Sequence, residues 1–404
     1  MAETDLTTHG GSRAVPTGDH LGRLHDAIDD SSFAWTLCLI GEDQSHKLAV
    51  LAGDLGRRKS STGEGKQITS GFAYWGIAPT IAWAHACSDP FYPVMQQSLE
   101  SFALRWAQVR ATLADTPYHY VSLGVGTGHK DRSILQDLLG ANQDLLYSPV
   151  DLSAEMLRFG MRESLKGVDV SRRQVVPVQL DFAVEANLVE YRRLLHRMVG
   201  EEPILYSLLG NTMANFDEDI DLLGKLTWLL RPQDRFLLEV ATTASLDPSL
   251  ADDAAEEYRS SRAYKEFVTS ALQHYTDLTI DMDSVQFRGA VEADRALQVK
   301  VIYQNSTGNV QRIMLPDRNI VRFDDGDTIR LYLTRKYANS AVDDMLETVG
   351  MTKVLSTHSG FASHRSPGGF GIDLLLLSAG RTRSVPPQRS SRADEIWSSF
   401  DRQP

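Results

Sequence analysis

Three glycines at alternate positions, Gly124, Gly126 and Gly128, lie between the apolar run Tyr120-Val-Ser-Leu123 and a helical pattern from Asp131 to Leu139. Glycine lets backbone come close to a ligand and adopt angles that side chains resist, and a helix start presents unpaired N–H groups. The spacing predicts a nucleotide-binding turn that includes Thr127. A second apolar run, 145–150, ends in Asp151, where a carboxylate can accept hydrogen bonds from both hydroxyls of a ribose. Asp151 would equally suit a cap on the helix that starts near Ala154. A third run, 175–180, ends in Asp181-Phe182, an acceptor and an aromatic face fit for a purine. A fourth, Pro203–Leu209, exits through Gly210-Asn-Thr-Met-Ala-Asn215-Phe216, placing small and amide residues where open α/β sheets bind ligands. The plainer reading of that exit is a turn whose Asn side chains satisfy local backbone.

The elements that position these tips alternate. Strand and helix patterns follow one another through a fifth strand, Arg235–Val240, which predicts an α/β doubly wound sheet with the tips meeting at one crevice. A nicotinamide dinucleotide would fit this outline, but its G-x-G-x-x-G fingerprint wants a third glycine where this chain has His129. G-x-G-x-G with an acid at the second strand tip is more typical of methyltransferases that use S-adenosylmethionine.

Organisation along the chain is expected as follows. Residues 1–30 and 381–404 are loose in composition and read as flexible ends. Residues 31–117 are mostly helical, 118–248 form the first part of the core, and 328–380 return to it. Between them, 249–327 read as an inserted α+β lobe: one helical stretch from about Ala251 to His274, then antiparallel strands. The aromatic cluster Phe72, Tyr74, Trp75 and Trp83 reads as core. Tyr92 precedes a proline that disfavours helix at its own position, so it is expected on a loop with its hydroxyl available.

Composition narrows the partners. The chain of 404 residues carries a formal net charge of −12 and no dense Lys/Arg run, which argues against nucleic acid, because neutralising phosphates takes clustered cations. Cys38 and Cys87 lack metal-ligand spacing and read as reduced thiols of a cytoplasmic protein, with no metal site expected. The first residues lack the basic start and apolar stretch of a secretory signal, so export is not expected. No run approaches the roughly 20 apolar residues of a membrane span. A small-molecule substrate is the expected partner.

Taken together, Gly124-Val-Gly126-Thr127-Gly128-His-Lys130, Pro149-Val-Asp151-Leu-Ser153, Asp181-Phe182, Leu209-Gly210-Asn-Thr-Met-Ala-Asn215-Phe216 and the stretch from Gly326 to Tyr337 resemble the histidine-specific Nα-methyltransferases of ergothioneine biosynthesis. The resemblance covers roughly Tyr118 to Gly380, with only Phe91-Tyr92-Pro93 matching upstream. It implies a class I methyltransferase (Rossmann-like) fold with S-adenosylmethionine at Gly124, Gly126 and Thr127, the ribose on Asp151, and the adenine near Asp181 and Phe182. Lys130 falls on a family cofactor position. Tyr92 and Asn215 match the groups that hold the substrate's amino and carboxyl ends, Tyr258 is a looser match, and Gly210 heads the substrate-facing loop.

One departure bears on the substrate. Where the family reads an imidazole with Glu-x-Ser, this chain has Tyr332 and Thr334. The resemblance then implies transfer to the amino group of an amino acid or amino-acid-derived molecule other than histidine. Histidine itself, and a module that binds S-adenosylmethionine without turnover, are the alternatives. The chemistry expected is in-line displacement at an activated methyl group, with Tyr92 and Asn215 steering a neutral amine and no dedicated base assigned.

Overall fold

The computed structural model describes residues 20–29, 31, 35–41, 44–57, 65–361 and 369–380. The flexibility expected of residues 1–19 and 381–404 lies outside the described residues. The rest of the amino-terminal stretch differs from expectation, forming helix α1 (His20–Asp29). Ile28 is buried there, and its carbonyl accepts a hydrogen bond from Arg172 at 3.1 Å.

The chain continues through β1 (Cys38–Leu39), α2 (Gln44–Gly56), β2 (Lys66–Gln67), α3 (Ile77–Ser88) and α4 (Pro93–Leu113). Alternation then begins: β3 (His119–Leu123), α5 (His129–Leu138), β4 (Tyr147–Asp151), α6 (Ala154–Ser164), β5 (Val178–Gln179), α7 (Glu185–Val199), β6 (Ile204–Leu208), α8 (Asp219–Thr227) and β7 (Arg235–Thr243). These strands lie parallel in the order β1-β5-β4-β3-β6-β7. Parallel strands buried on both faces need apolar residues at successive positions, and β3 supplies them. Its Val121 and Leu123 pack in one core with α7 and α8, while Tyr120 packs in the other with α4 and α5.

After β7 come α9 (Pro248–Arg259), α10 (Arg262–Tyr275), β8 (Val285–Glu292), β9 (Ala296–Gln304), β10 (Gln311–Met314), β11 (Ile320–Phe323), β12 (Thr328–Ala338), α11 (Asn339–Val349), β13 (Met351–Gly360) and β14 (Phe370–Ala379). The hairpin of β13 and β14 closes the core sheet, with β14 antiparallel to β7. Leu374 and Leu376 face one core and Leu375 and Leu377 the other, so the most apolar run in the sequence is a strand buried on both sides.

Three boundaries differ from the sequence reading. The helical stretch 251–274 is two helices, because Ser261 is buried and its hydroxyl accepts the Tyr264 N–H at 2.9 Å, which starts α10 afresh. Strand β12 pairs with β9 from Thr328 to Tyr337 and with β7 only at Tyr337 and Ala338. The return to the core therefore falls at the end of β12 and not at Thr328. Finally, the amino-terminal region shares a core with the lobe, where Leu51, Phe72 and Trp75 pack with residues of α9, α10 and β12.

One consequence of β12's path shapes the site. Strand β6 pairs with β7 as far as Leu238, and β12 takes up Thr242 and Thr243. The edge between them is filled by the loop after β6: the Glu239 carboxylate accepts the Gly210 N–H at 2.6 Å, and the Asn211 side-chain carbonyl accepts the Ala241 N–H at 2.8 Å. Buried backbone groups need partners, and here a side chain takes the place of a strand. Among the described residues, no helix is long and apolar enough to cross a membrane.

Candidate active site

The glycine turn is built for close approach. Gly124, Gly126 and Gly128 all have positive φ (72°, 53° and 73°). A Cβ on Gly128 would lie 2.1 Å from the Gly160 carbonyl oxygen, so this glycine lets α6 pack against the turn. The helix-packing role that the dinucleotide fingerprint gives to its third glycine falls here to Gly128, one residue before His129. Gly124 and Gly126 face space: a Cβ on Gly124 would come no nearer than 3.8 Å to the Thr212 methyl and 3.9 Å to the Phe182 ring, and one on Gly126 no nearer than 3.8 Å to backbone. Thr127 sits half-buried in the same turn.

Asp151 is buried at the tip of β4. It accepts the Ser153 N–H at 3.1 Å. The cap on α6 is Ser153, whose hydroxyl accepts the Met156 N–H at 3.3 Å. Burial pushes the Asp151 carboxyl up to about 7, against backbone N–H groups of Ser153, Gly126 and Leu152 that pull it down. Among the described residues no cation pairs with it. Asp181 accepts the Ala183 N–H at 3.0 Å and forms an ion pair with Lys47 of α2, a partner the sequence reading did not identify. Phe182 packs against Phe216, with ring centroids 5.9 Å apart. Turn, carboxylate and aromatic face thus lie at the ends of adjacent strands.

These residues fit S-adenosylmethionine. The turn leaves the room that a Cβ would take, and a buried carboxylate without a cation is the acceptor a diol needs. Lys130, at the start of α5, turns inward instead: its ammonium donates to the Ser98 hydroxyl at 2.7 Å and pairs with Glu239.

A small cavity of about 30 Å³ is lined in part by Tyr92, Gly210, Asn215, Tyr258, Tyr332 and Thr334. All six residues named from the sequence as substrate-facing therefore meet at one place. Tyr92 does not sit on an open loop. It is the residue before α4, buried, with its ring against Tyr258 and Tyr264 at 5.7 and 5.0 Å between centroids. Tyr332 hydrogen-bonds the hydroxyl of Tyr74 at 2.5 Å, and the Asn215 amide donates to Tyr74 at 3.5 Å. Thr334 accepts from Asn211 at 3.3 Å.

Tyr74, Trp83 and Asn211 also line the cavity and were not identified as site residues from sequence. The indole N–H of Trp83 has no partner among the described residues. Of the three, only Asn211 carried a signal, its place in the loop after β6. The aromatics read as core, and they are also that: Tyr74 and Trp83 pack on Phe267 at 5.0 and 4.8 Å. Among the described residues, none that lines the cavity carries a formal charge. Burial raises the phenols of Tyr92, Tyr264 and Tyr332 well above their ordinary range, so they stay neutral donors and acceptors. The described residues contain no cluster of His, Cys, Asp and Glu fit to hold a metal.

The geometry can be set beside known proteins. No curated protein matches the sequence. Among solved structures, the CcbJ methyltransferase of Streptomyces caelestis is 18% identical over 68% of this chain and 89% of its own, with a TM-score of 0.32. The magnesium protoporphyrin IX methyltransferase of Synechocystis PCC 6803 is 10% identical over 76% and 97%, with a TM-score of 0.39. The glycopeptide N-methyltransferase MtfA, in complex with S-adenosylmethionine, is 16% identical over 69% and 93%, with a TM-score of 0.33. A family model, that of the histidine-specific, S-adenosylmethionine-dependent methyltransferases, matches residues 80–359, well over half of the chain. With the glycine turn, the strand-tip carboxylate and the inserted lobe all inside that span, the chain belongs to this family and is an S-adenosylmethionine-dependent methyltransferase of the class I fold.

Proposed function

We propose that this methyltransferase acts on the amino group of an amino acid or amino-acid-derived small molecule whose side chain is not an imidazole. The observation that carries the reading is the charge-free cavity lining, with Tyr332 and Thr334 on β12. An imidazole N–H held in such a cavity would lack an anionic partner. The lining offers neutral hydroxyls, amides and the free indole N–H of Trp83 instead. Sites built around one hydrogen-bonding pattern reject analogues that leave it unpaired.

When bound, S-adenosylmethionine supplies a methyl group activated by its sulfonium. The chain's own residues do the rest. Asp151 would hold the ribose, Gly124, Gly126 and Thr127 would give the cofactor a close backbone wall, and Asp181 and Phe182 would flank its base. Tyr92 and Asn215 orient the acceptor amine, while the aromatic walls exclude water and so favour the neutral, nucleophilic form of that amine. Its proton is lost to solvent, because the buried phenols stay neutral and offer no base to accept it. The two free cysteines, Cys38 and Cys87, fit a reducing compartment such as the cytoplasm.

The test is a screen of purified protein with S-adenosylmethionine and single amino acids, reading S-adenosylhomocysteine by mass spectrometry. Turnover with an acceptor other than histidine is expected. Tight cofactor binding without turnover of any amine would favour a sensing module instead.

A further inference from the structure

The segment after β6 carries two groups of the site, Asn215 on the cavity wall and Phe216 against Phe182, and one side chain of the lobe holds its backbone. Arg335 of β12 keeps only 2% exposure, and all five of its N–H groups find acceptors. Nη1 donates to the carbonyls of Ala214 and Phe216, at 3.3 and 2.5 Å, and Nη2 to that of Asp217 at 3.3 Å. The rest go as a fork to the carboxylate of Glu292, at 2.5 and 3.0 Å. Asn215 therefore stands between two carbonyls fixed by one planar guanidinium. Buried carbonyls at the end of a helical turn need such a donor, since the turn itself supplies none. Asp217 is held a second time, its carboxylate taking Arg330 of β12 at 2.6 Å.

The acid that aims Arg335 ends β8, where the turn into β9 puts Ala293 and Asp294 at φ 44° and 52°. Left-handed backbone is costly at residues other than glycine and persists where the surrounding structure holds it in place. Arg295, from the same turn, pairs with Glu292 at 3.3 Å and with Asp219 at 3.0 Å, and gives no hydrogen bond to the three carbonyls. Burial would raise the Glu292 carboxyl, yet Arg335 and Arg295 hold it below the ordinary range, so the fork stays charged. We propose that Arg335 is a positioning residue for methyl transfer: fixed by Glu292, it sets the backbone of residues 214–217, and through it the Asn215 amide and the Phe216 ring, a role that rests on the acceptor part given to Asn215 above. Because β12 also presents Tyr332 and Thr334, one strand of the lobe sets both what the acceptor meets and how it lies.

Three variants of the whole protein test this: Arg335→Lys keeps the charge but not the fork, Glu292→Gln removes the anion that aims it, and Arg295→Lys disturbs the same ionic group without touching the segment. Without cofactor, the backbone amides of residues 212–217, followed by deuterium uptake and mass spectrometry, should exchange about tenfold or more faster in Arg335→Lys. Glu292→Gln should do so to a lesser extent, and Arg295→Lys should match the parent. With an equimolar mixture of the common amino acids as acceptor, S-adenosylhomocysteine formation should fall about tenfold or more in Arg335→Lys, while KM for S-adenosylmethionine moves by less than about threefold. Adding Asn215→Ala to Arg335→Lys should cost little further, because the two act as one unit. Equal effects of Arg335→Lys and Arg295→Lys would mark a purely structural ionic group and overturn the proposal. So would exchange of the segment at the parent rate in Arg335→Lys. Full activity of Asn215→Ala in the parent background would overturn the acceptor reading and with it the catalytic consequence, while the exchange rates decide the clamp independently.

Discussion

Asp151 is the residue on which cofactor binding is expected to turn. Its carboxyl stands at about 7 because burial disfavours the charge and only backbone N–H groups support it. Ribose hydroxyls donate only to the charged form with full strength, so affinity for S-adenosylmethionine should be complete above that value and fall as pH drops through it. Below pH 7 the expected slope is about one decade of affinity per unit, flattened in Asp151→Asn. Asp151→Ala should remain folded and lose about 2 to 4 kcal/mol of binding free energy by calorimetry. Unchanged affinity would return Asp151 to a purely structural part. At the acceptor end, Tyr92→Phe and Asn215→Ala should bind cofactor normally while turnover drops by about tenfold or more, because each removes a directional hydrogen bond at the reacting group. Full activity in both variants would place the amine elsewhere.

The elements hold these groups through two close fits, one between α6 and the turn and one between the loop after β6 and the edge of β7. Gly128→Ala would force a Cβ onto the Gly160 carbonyl at a positive φ, so α6 must move. Its expected cost exceeds about 2 kcal/mol in thermal or denaturant unfolding, with loss of cofactor binding. Asn211→Ala leaves the buried Ala241 N–H without its side-chain partner and should cost about 1 to 3 kcal/mol. A variant as stable as the parent would mean that the loop re-pairs on its own. The existence of these elements is legible in the sequence, because glycine spacing, strand-end acids and short apolar runs each have a local cause. Their allegiance is less so. Residues 328–334 read as a strand of the core, yet β12 pairs almost wholly within the lobe, since a run buried on both faces does not name its neighbours. Glu239 is legible only as an oddity, an acid inside Arg235-Phe-Leu-Leu-Glu239-Val; its partners Arg105 and Lys130 come from helices distant in sequence.

Across the whole molecule, the lobe shares one core with residues between Leu51 and Tyr92, and the cavity lies where that core meets the methyltransferase sheet. Tyr74 from the first region and Tyr332 from the lobe bond across it, which explains why the acceptor site reads poorly from any single stretch of sequence. The residues that line it are those expected to decide which acceptor is used. The most direct test compares histidine as acceptor for the unmodified protein and for Tyr332→Glu, Thr334→Ser, following S-adenosylhomocysteine formation and histidine methylation by mass spectrometry. The unmodified protein is expected to leave histidine essentially untouched and the double variant to gain activity or affinity toward it. Robust methylation of histidine by the unmodified protein would contradict the proposed acceptor and make this chain a histidine Nα-methyltransferase.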